Sequence, residues 1–251
     1  MNKVLMSKEK QEYVESIGRA VVIAKPRYYY VRSGSFNCGE GEIKKLKNGK
    51  VKTNKGKEFF CFDSTFKDDF GQIKRLAQII TPKDIGIIIT ECGLNKDSVV
   101  VEGGSGSGAL ACFLAKIVKK VYSYDINETH QGTAKKNAEL LKIENIAFKL
   151  ADMNKKISEQ CDAVILDLPQ PWDALNSAEK AVKVGGFIVA YSPAITQVMN
   201  FVEAVEKKEK LLYLKTIELI ERRWKVKGGA VRPVSEGIGH TAFLVFVRKI
   251  N

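Results

Sequence analysis

Histidine and cysteine are scarce in this chain, and their scarcity limits the chemistry open to it. The only histidines are His130 and His240, so a histidine-rich metal site is excluded and histidine general-base chemistry has few candidates. The five cysteines are scattered, and none belongs to a CxxC pair, which is typical of free thiols in a reducing cytoplasm. We therefore expect a cytoplasmic protein without a bound metal.

Long apolar segments are also missing. No run of about 18 apolar residues occurs, so no membrane span is expected. The opening "MNKVLMSKEKQEYVES" lacks the apolar core of a secretory signal.

Positive charge is in excess, since 41 lysines and arginines against 29 acids give a net charge of +12. This excess favours a polyanionic partner such as nucleic acid, with simple solubility as the alternative.

Residues 1–65 predict a small antiparallel β module. The segments "YYYVRS" and "KEFFCFD" are rich in aromatic and other strand-forming residues, a composition typical of strands. Between them, "KKLKNGKVKT" (44–53) alternates around Asn48-Gly49, which is the strongest short hairpin signal. We therefore predict a hairpin centred on this dipeptide.

Lysines crowd the predicted hairpin. Seven of them lie between residues 44 and 57, with no acid among them. We interpret the module as an RNA-contacting domain in which Lys47, Lys50 and Lys52 contact phosphates. The alternative is a solvated edge whose charges prevent strand pairing.

Two helices are predicted to follow the β module. "DDFGQIKRLAQII" (68–80) spaces its apolar residues like one face of a helix. "TPKDIGIIITECGL" (81–94) predicts a second helix, with Thr81 as its N-cap, Pro82 in its first turn and Gly93 at its end.

From residue 98 onward the pattern alternates between strands and helices. The predicted strands are "SVVVE", "KVYSYD", "IAFKLAD", "DAVILDL" and "GFIVAYS", and the predicted helices are "SGALACFLAKIVK", "ETHQGTAKKNAELLK", "WDALNSAEKAVK" and "ITQVMNFVEAVEKKE". Such alternation predicts a doubly wound α/β domain with a parallel sheet over residues 66–251. The last strands, "LLYLKTIELIERRWKV" and "HTAFLVFVRK", have no helix between them, so we expect an antiparallel strand pair at one edge.

A glycine loop, "VVVEGGSGSGAL" (99–110), lies at the first strand-to-helix turn. Its glycines would let the backbone approach a ligand closely. A Walker loop is excluded because no Lys-Ser/Thr follows the last glycine. Gly104, Gly106 and Ala109 satisfy the looser dinucleotide pattern, and Asp125 lies 21 residues after Gly104. The loop alone does not separate NAD from another adenosyl ligand.

Four acids stand at predicted strand ends, namely Glu102, Asp125, Asp152 and Asp167. Ligands of open α/β sheets bind beyond the carboxyl ends of the strands. Carboxylates gathered there would repel a pyrophosphate, but they suit a ligand that carries an amine, a diol and a positive centre. S-adenosylmethionine has these groups and no phosphate, so the acids favour a methyl donor over a nicotinamide.

Several motifs together carry a family resemblance. The glycine loop, "SYD", "LAD", "DLPQPW" and "RRW…RPV…GHTAFL" occur in an order that resembles the archaeal and bacterial TrmI family of tRNA (adenine-N1)-methyltransferases. The resemblance covers essentially the whole chain, and "DLPQPW" with "RPVSEGIGHTAFL" is its most specific part. It implies a class I S-adenosylmethionine-dependent methyltransferase fold, methylation of tRNA at adenine 58 and in some archaeal members also 57, and a homotetramer.

The resemblance also implies a set of site residues. Cofactor-binding positions would be Gln78, Glu102, Gly103, Gly104, Ser105, Gly106, Ser107, Gly108, Leu110, Asp125, His130, Asp152 and Asp167. Asp167 would also face the target base as the catalytic residue, and Tyr191 and Thr81 would border that base. Thr81 is a departure, since an aromatic residue or histidine commonly precedes "PKD" in the family. Asp125 stands where the family often has Glu.

The implied reaction needs orientation more than proton transfer. Adenine N1 carries an in-plane lone pair and attacks the methyl carbon without losing a proton first, so in-line positioning should dominate catalysis. A carboxylate that accepts from the exocyclic amine would fix the base and stabilise the positive charge growing on the ring. We assign that role to Asp167.

Three other functions are open on the sequence. "DLPQPW" is similar to the Asp/Asn-Pro-Pro-aromatic motif of enzymes that methylate exocyclic amines of nucleic acids. A nicotinamide dehydrogenase would use the same glycine loop. A non-catalytic RNA-binding subunit is the third possibility, against which the intact acids and glycines argue.

Overall fold

The protein is described here by a computed structural model that covers residues 2–32, 34–76, 78–227 and 230–251. Met1, Ser33, Ala77, Gly228 and Gly229 lie outside the described residues. Ser33 ends the segment "YYYVRS", and Ala77 falls within the helix predicted over 68–80. The chain divides into two compact units, Met1–Gln72 and Ile73–Asn251.

The first unit is an antiparallel β structure with one short helix. Its elements are β1 (Lys3–Ser7), β2 (Lys10–Val14), β3 (Arg19–Ala24), β4 (Arg27–Val31), β5 (Phe36–Cys38), β6 (Gly41–Ile43), β7 (Gly49–Lys52), β8 (Glu58–Asp63) and α1 (Phe66–Phe70). A four-stranded sheet has the order β4-β1-β8-β7, and β2–β3 and β5–β6 form two-stranded ribbons. Its core contains an aromatic cluster of Tyr29, Phe36 and Phe59, in which Phe59 meets the other two rings edge to face.

The hairpin predicted around Asn48-Gly49 is wrong. β7 begins at Gly49 and pairs with β8, not with residues 44–47. Leu46 is buried, and its N–H donates to the Gly34 carbonyl, so the preceding segment joins the core instead of a ladder. The Asn48 amide bonds to Asp63 at 2.8 Å, a tertiary contact that the local pattern does not contain.

The helix predicted over 68–80 is also wrong beyond Phe70. A capping box of Thr65 and Asp68 starts α1, but the later backbone groups find partners elsewhere. The N–H of Lys74 donates to Asn137 Oδ1, and that of Leu76 donates to Ser107 Oγ, each at 2.9 Å. These side chains offer the backbone bonds that a helix would otherwise supply.

α1 belongs to the first unit, because Asp69 accepts bonds from Tyr30 and Asn2. The division between the units therefore lies seven residues after the boundary expected at 65/66.

The second unit contains a seven-stranded sheet with helices on both faces. Its elements are α2 (Pro82–Glu91), β9 (Val99–Gly103), α3 (Ala109–Leu114), β10 (Lys120–Asp125), α4 (Glu128–Leu140), β11 (Ile146–Leu150), β12 (Cys161–Leu166), α5 (Leu175–Ala181), β13 (Val182–Ser192), α6 (Ile195–Glu206), β14 (Leu211–Glu218), β15 (Trp224–Lys227), β16 (Ala230–Pro233) and β17 (Phe243–Lys249). The sheet order is β11-β10-β9-β12-β13-β17-β14. The first five strands are parallel, and β17 is antiparallel to β13 and β14. The predicted doubly wound sheet with an antiparallel edge pair is confirmed.

Buried strand residues alternate between two cores. Val164 of β12 packs in a cluster with Leu175 of α5 and Phe201 of α6. Its neighbour Ile165 packs in a second cluster that contains Ile85 of α2. Because successive side chains of a strand point to opposite faces, the continuous apolar run produces a sheet covered on both sides.

The strand predicted over 211–226 divides into two. β14 ends at Glu218, and the Leu219 carbonyl accepts a bond from Lys83 Nζ at 2.8 Å instead of pairing in the sheet. β15 then pairs with β16 as a separate ribbon, which the sequence analysis did not predict. The predicted helix 107–119 is likewise shorter, since α3 spans Ala109–Leu114.

Candidate active site

A cavity of about 1040 Å³ opens at the carboxyl ends of β10, β11 and β12, beside the glycine loop. Seven of the predicted cofactor residues line it, namely Gln78, Gly104, Gly106, Asp125, His130, Asp152 and Asp167. The other six do not line it and are buried beside it, namely Glu102, Gly103, Ser105, Ser107, Gly108 and Leu110. The acids that follow successive strands in sequence therefore lie around one space, as the parallel order predicts.

The glycine loop is tight because the backbone around it leaves no room for side chains. Gly104 has φ +90°, and a Cβ there would collide with the Asp167 carbonyl. Gly108 has φ +73° and packs directly on Ala134 of α4. These contacts bring the loop backbone against the strand that carries Asp167, so the cavity is bordered by main-chain groups.

Asp125 organises the rim next to the loop. One carboxylate oxygen accepts the Gly106 N–H at 3.0 Å, and the other accepts the Asn127 N–H at 2.8 Å. His130 Nδ1 lies 3.5 Å from the same carboxylate. Asn127 in turn caps α4 by accepting the His130 N–H. Each Asp125 oxygen has a second lone pair, which leaves the carboxylate able to accept from a diol.

Glu102 is a buried acid beside the cavity. Ser123 Oγ donates to its Oε1 at 2.6 Å, whereas Oε2 is buried and has no partner among the described residues. Burial, with a smaller effect from the charges of Asp167 and Asp125, raises the pKa of Glu102 to about 8 against the lowering effect of the Ser123 hydrogen bond. An unpaired buried oxygen of this kind suits a cationic ligand group, such as the amine of S-adenosylmethionine.

Asp167 follows β12 immediately. Its N–H donates to the Gly103 carbonyl at 2.9 Å, and its side chain lines the cavity. Burial raises the pKa of this carboxyl to about 7. The loop behind it is held in place, because Gln197 donates to the Pro169 carbonyl at 2.9 Å and Trp172 packs against the core.

The residues expected to border the target base lie in a neighbouring network. Tyr191 and Thr81 do not line the cavity. Thr81 occupies the N-cap position of α2, as predicted, but its side chain accepts no helix N–H and donates to Asp84 Oδ2 at 2.8 Å. Sequence analysis missed Asp84 and its partner Thr241, although both stand inside the quoted "PKD" and "GHTAFL" motifs.

His240 makes two hydrogen bonds that link separate segments. Its Nδ1 lies 2.5 Å from Glu218 Oε1, and its Nε2 lies 2.8 Å from the Pro193 carbonyl. The Glu218 carboxylate raises the pKa of His240. Because Pro193 lines the cavity, the histidine ties one wall to the end of β14.

The predicted phosphate-contacting lysines lie on the first unit and are exposed. Lys50 and Lys52 flank Glu58 of the adjacent strand at 2.8 Å and 3.1 Å. Lys47 is exposed and follows the buried Leu46. The first unit carries 15 lysines and arginines against 9 acids, which is half of the net charge of the chain.

The charges around the cavity select among ligands. Among the described residues that line it, five are acids (Asp125, Glu128, Asp152, Asp167 and Asp173) and none is lysine or arginine. Such a lining opposes a pyrophosphate and favours a cation.

In the described parts of the chain, no group of three or more His, Cys, Asp or Glu side chains is arranged to hold a metal ion. No helix there is long and apolar enough to span a membrane.

Sequence comparisons point in the same direction as the cavity. A family model described as the tRNA methyltransferase complex GCD14 subunit matches residues 72–231. The tRNA (adenine(57)-N(1)/adenine(58)-N(1))-methyltransferase TrmI of Methanocaldococcus jannaschii is 34% identical over 84% of this chain and 86% of the relative. The tRNA (adenine(58)-N(1))-methyltransferase TrmI of Thermus thermophilus is 36% identical over 80% of this chain and 81% of its own.

Solved structures show the same architecture. The tRNA (m1A58) methyltransferase TrmI of Aquifex aeolicus matches with a TM-score of 0.78 at 25% identity, covering 99% of this chain and 97% of that one. A SAM-dependent O-methyltransferase of Thermotoga maritima matches with a TM-score of 0.80 at 23% identity, covering 99% and 93%. These neighbours confirm the predicted class I methyltransferase fold.

Proposed function

Because this chain belongs to the TrmI family of tRNA (adenine-N1)-methyltransferases, we propose that it transfers a methyl group from S-adenosylmethionine to N1 of adenine 58 in the T-loop of tRNA. Adenine 57 is the second candidate position, since one relative is named for both. The observation that carries the proposal is the cavity at the strand ends, which acids and the glycine loop border. No lysine or arginine is among the described residues that line it.

The site residues divide the cofactor among them. Glu102 and the loop 103–108 hold the methionine part, since the unpartnered Glu102 oxygen suits its amine. Asp125 accepts from the ribose diol, and Asp152 lies where the adenine is expected. Gln78 and His130 border the same space. When bound, the cofactor supplies a methyl group activated by a sulfonium.

Asp167 positions the target base. Its carboxylate accepts from the exocyclic amine of adenine, which orients N1 and balances the charge that grows on the ring. No general base is needed because N1 has a free lone pair. Since protonation removes the negative charge and one acceptor, the pKa of about 7 predicts that methyl transfer rises as the pH increases through neutrality.

The first unit binds the tRNA backbone. It carries the lysine-rich segment 44–57, and phosphate contacts of this kind offset the few kcal/mol that extrusion of a base costs. Replacing Lys47, Lys50 and Lys52 by Gln should flatten the salt dependence of tRNA binding by nearly one slope unit per lost contact. An unchanged slope would mean that the segment is only a solvated edge.

We place the enzyme in the cytoplasm as a homotetramer, as the family resemblance implies. The β15–β16 ribbon exposes apolar side chains, among them Trp224, Val226 and Val231, and is a candidate interface. Light scattering at micromolar concentration should give four times the chain mass of 27.9 kDa. A monomer under these conditions would contradict the assembly.

Nucleoside analysis tests the reaction class. The protein, S-adenosylmethionine and an unmodified tRNA transcript should yield 1-methyladenosine after digestion. N6-methyladenosine would instead indicate transfer to an exocyclic amine. Binding of NADH without S-adenosylmethionine would indicate a dehydrogenase, and tRNA binding without methylation would indicate a non-catalytic subunit.

A further inference from the structure

A buried polar network lies beside the cavity, and the mechanism above does not use it. At its centre is Asp84, in the first turn of α2, whose side chain is fully buried. Its Oδ1 accepts from Lys83 Nζ at 2.7 Å. Its Oδ2 accepts from Thr81 Oγ1 at 2.8 Å and from Thr241 Oγ1 at 2.9 Å. The carboxylate is therefore fixed by donors from two distant parts of the sequence.

Lys83 joins further segments to the same carboxylate. Its ammonium also donates to the Leu219 carbonyl and to Thr241 Oγ1, each at 2.8 Å. The start of α2, the end of β14 and the segment before β17 thus meet at one buried ion pair. Since buried pairs often contribute no more stability than apolar residues of the same volume, stability alone is a weak reason for this network.

Tyr191 connects the network to the catalytic carboxylate. Burial raises the pKa of Tyr191 and the charge of Asp84 raises it too, so the hydroxyl is neutral. Side-chain hydrogen bonds join this hydroxyl to Thr241 and Asp84, which brings Tyr191 into contact with the network. Leu166 of β12 is in register with Ala190 of β13. Asp167 and Tyr191, the next residues of these parallel strands, therefore stand side by side at the sheet edge. The charge of Asp167 also acts on Tyr191.

We propose that Asp84 is a positioning residue, which holds the Tyr191 hydroxyl so that the tyrosine ring forms a fixed wall of the target-base site beside Asp167. The inference rests on the proposed function, because the wall matters only if a base is presented to Asp167. Lys83 compensates the charge of Asp84, so the network fixes the direction of Tyr191 without adding net charge near the reacting ring. Thr81 and Thr241 fix the carboxylate itself.

A double-mutant cycle tests this role. Asp84→Asn should lower the single-turnover rate of methyl transfer at saturating tRNA by about 10- to 100-fold, the scale expected when a reacting group is misplaced by about 1 Å. The affinity for S-adenosylmethionine should stay within about twofold of the parent value, because the described part of the network reaches Asp167 only through Tyr191. When Asp84→Asn is added to Tyr191→Phe, the single-turnover rate should fall by less than about twofold below that of Tyr191→Phe alone.

Asp84→Asn leaves Lys83 buried without its counter-charge and could fail to fold for that reason, so a second variant is needed. The pair Asp84→Asn with Lys83→Met removes both charges and should give the same rate loss with Tyr191 present. The proposal would be overturned if the rate losses of Asp84→Asn and Tyr191→Phe multiplied in the double variant. A parental rate in Asp84→Asn with Lys83→Met would overturn it as well. A loss of S-adenosylmethionine affinity in Asp84→Asn as large as its loss of rate would also overturn the proposal.

A spectroscopic readout separates this inference from the proposed function. With 3-fluorotyrosine incorporated, the ¹⁹F signal that disappears in Tyr191→Phe identifies Tyr191. That signal should shift in Asp84→Asn and stay in place in Asp173→Asn, a matched substitution elsewhere on the cavity wall. If the parent protein did not methylate tRNA, a shifted signal would still support the contact. An unmoved signal would refute it whatever the activity.

Discussion

Binding of S-adenosylmethionine should release protons, and Glu102→Gln should remove most of that release. Glu102 is buried, one of its oxygens has no partner among the described residues, and its pKa is raised to about 8. At pH 7 a carboxyl with this pKa is protonated in about nine molecules of ten. A cationic amine beside it favours the charged form, so the proton should leave when the cofactor binds.

The magnitude follows from the two raised carboxyls. Full ionisation of Glu102 releases about 0.9 proton at pH 7, and Asp167, with a pKa of about 7, adds about 0.5 if it ionises as well. Because the bound state holds fewer protons, affinity should increase with pH, by up to about tenfold per unit for each carboxyl that ionises on binding, and level off above pH 8. The acids interact, so these figures belong to the group as a whole.

Calorimetry in two buffers of different ionisation enthalpy measures the released protons directly. Glu102→Gln should release about 0.9 proton fewer than the parent at pH 7. Glu128→Gln, the same substitution on the cavity rim, is the matched control and should behave like the parent. Equal release by the parent and by Glu102→Gln, or no release by either, would refute the assignment of the amine to Glu102.

Three further outcomes are expected. Asp167→Ala should bind cofactor but lose about 10²–10³-fold in single-turnover rate, and Asp167→Asn should be nearly as damaging if charge outweighs positioning. Parental rates in both variants would make Asp167 structural. Asp125→Ala should weaken S-adenosylmethionine binding by about 1.5–3 kcal/mol, the value of a charge-assisted hydrogen bond, and unchanged affinity by calorimetry would contradict the ribose contact. The His240 contribution to stability is fully present below the unfolded pKa of about 6.5 and is lost as the pH rises through its raised folded pKa. The melting temperature should therefore fall more steeply with increasing pH in the parent than in His240→Gln. Parallel slopes would contradict a stabilising role of His240.

Much of the second unit was predictable because its signals are local. Continuous apolar strands that alternate with helices leave few arrangements other than a doubly wound sheet. Once the strands are parallel, Asp125, Asp152 and Asp167 must lie at one edge. The cavity that they line was therefore implied by the order of the sequence, before any contact was known.

The failed predictions share a different cause. The helical spacing after Phe70 is real, but Asn137 and Ser107 take the backbone bonds of that segment. Asn48 has the composition of a turn, yet its side chain bonds to Asp63. In each case a side chain distant in sequence competes with the local pattern, and periodicity contains no information about such partners.

The Asp84 network illustrates the same limit at the site. The family resemblance implies Thr81 and Tyr191 as base-contacting residues, but it does not indicate Asp84, whose carboxylate accepts a bond from Thr81 Oγ1. Asp84 and Thr241 are 157 residues apart, and a buried acid in the first turn of a helix looks like an ordinary helix-start residue. Only the folded arrangement shows that its carboxylate faces inward.

Locating the methyl group within the tRNA tests the central claim most directly. An unmodified transcript incubated with the protein and S-adenosylmethionine should gain one methyl group on N1 of adenine 58, seen by mass spectrometry of the T-loop fragment, and a transcript with uridine at that position should gain none there. A second methyl group at adenine 57 would extend the specificity. Methylation confined to another nucleoside or to an exocyclic amine, or none despite bound cofactor and tRNA, would contradict the account.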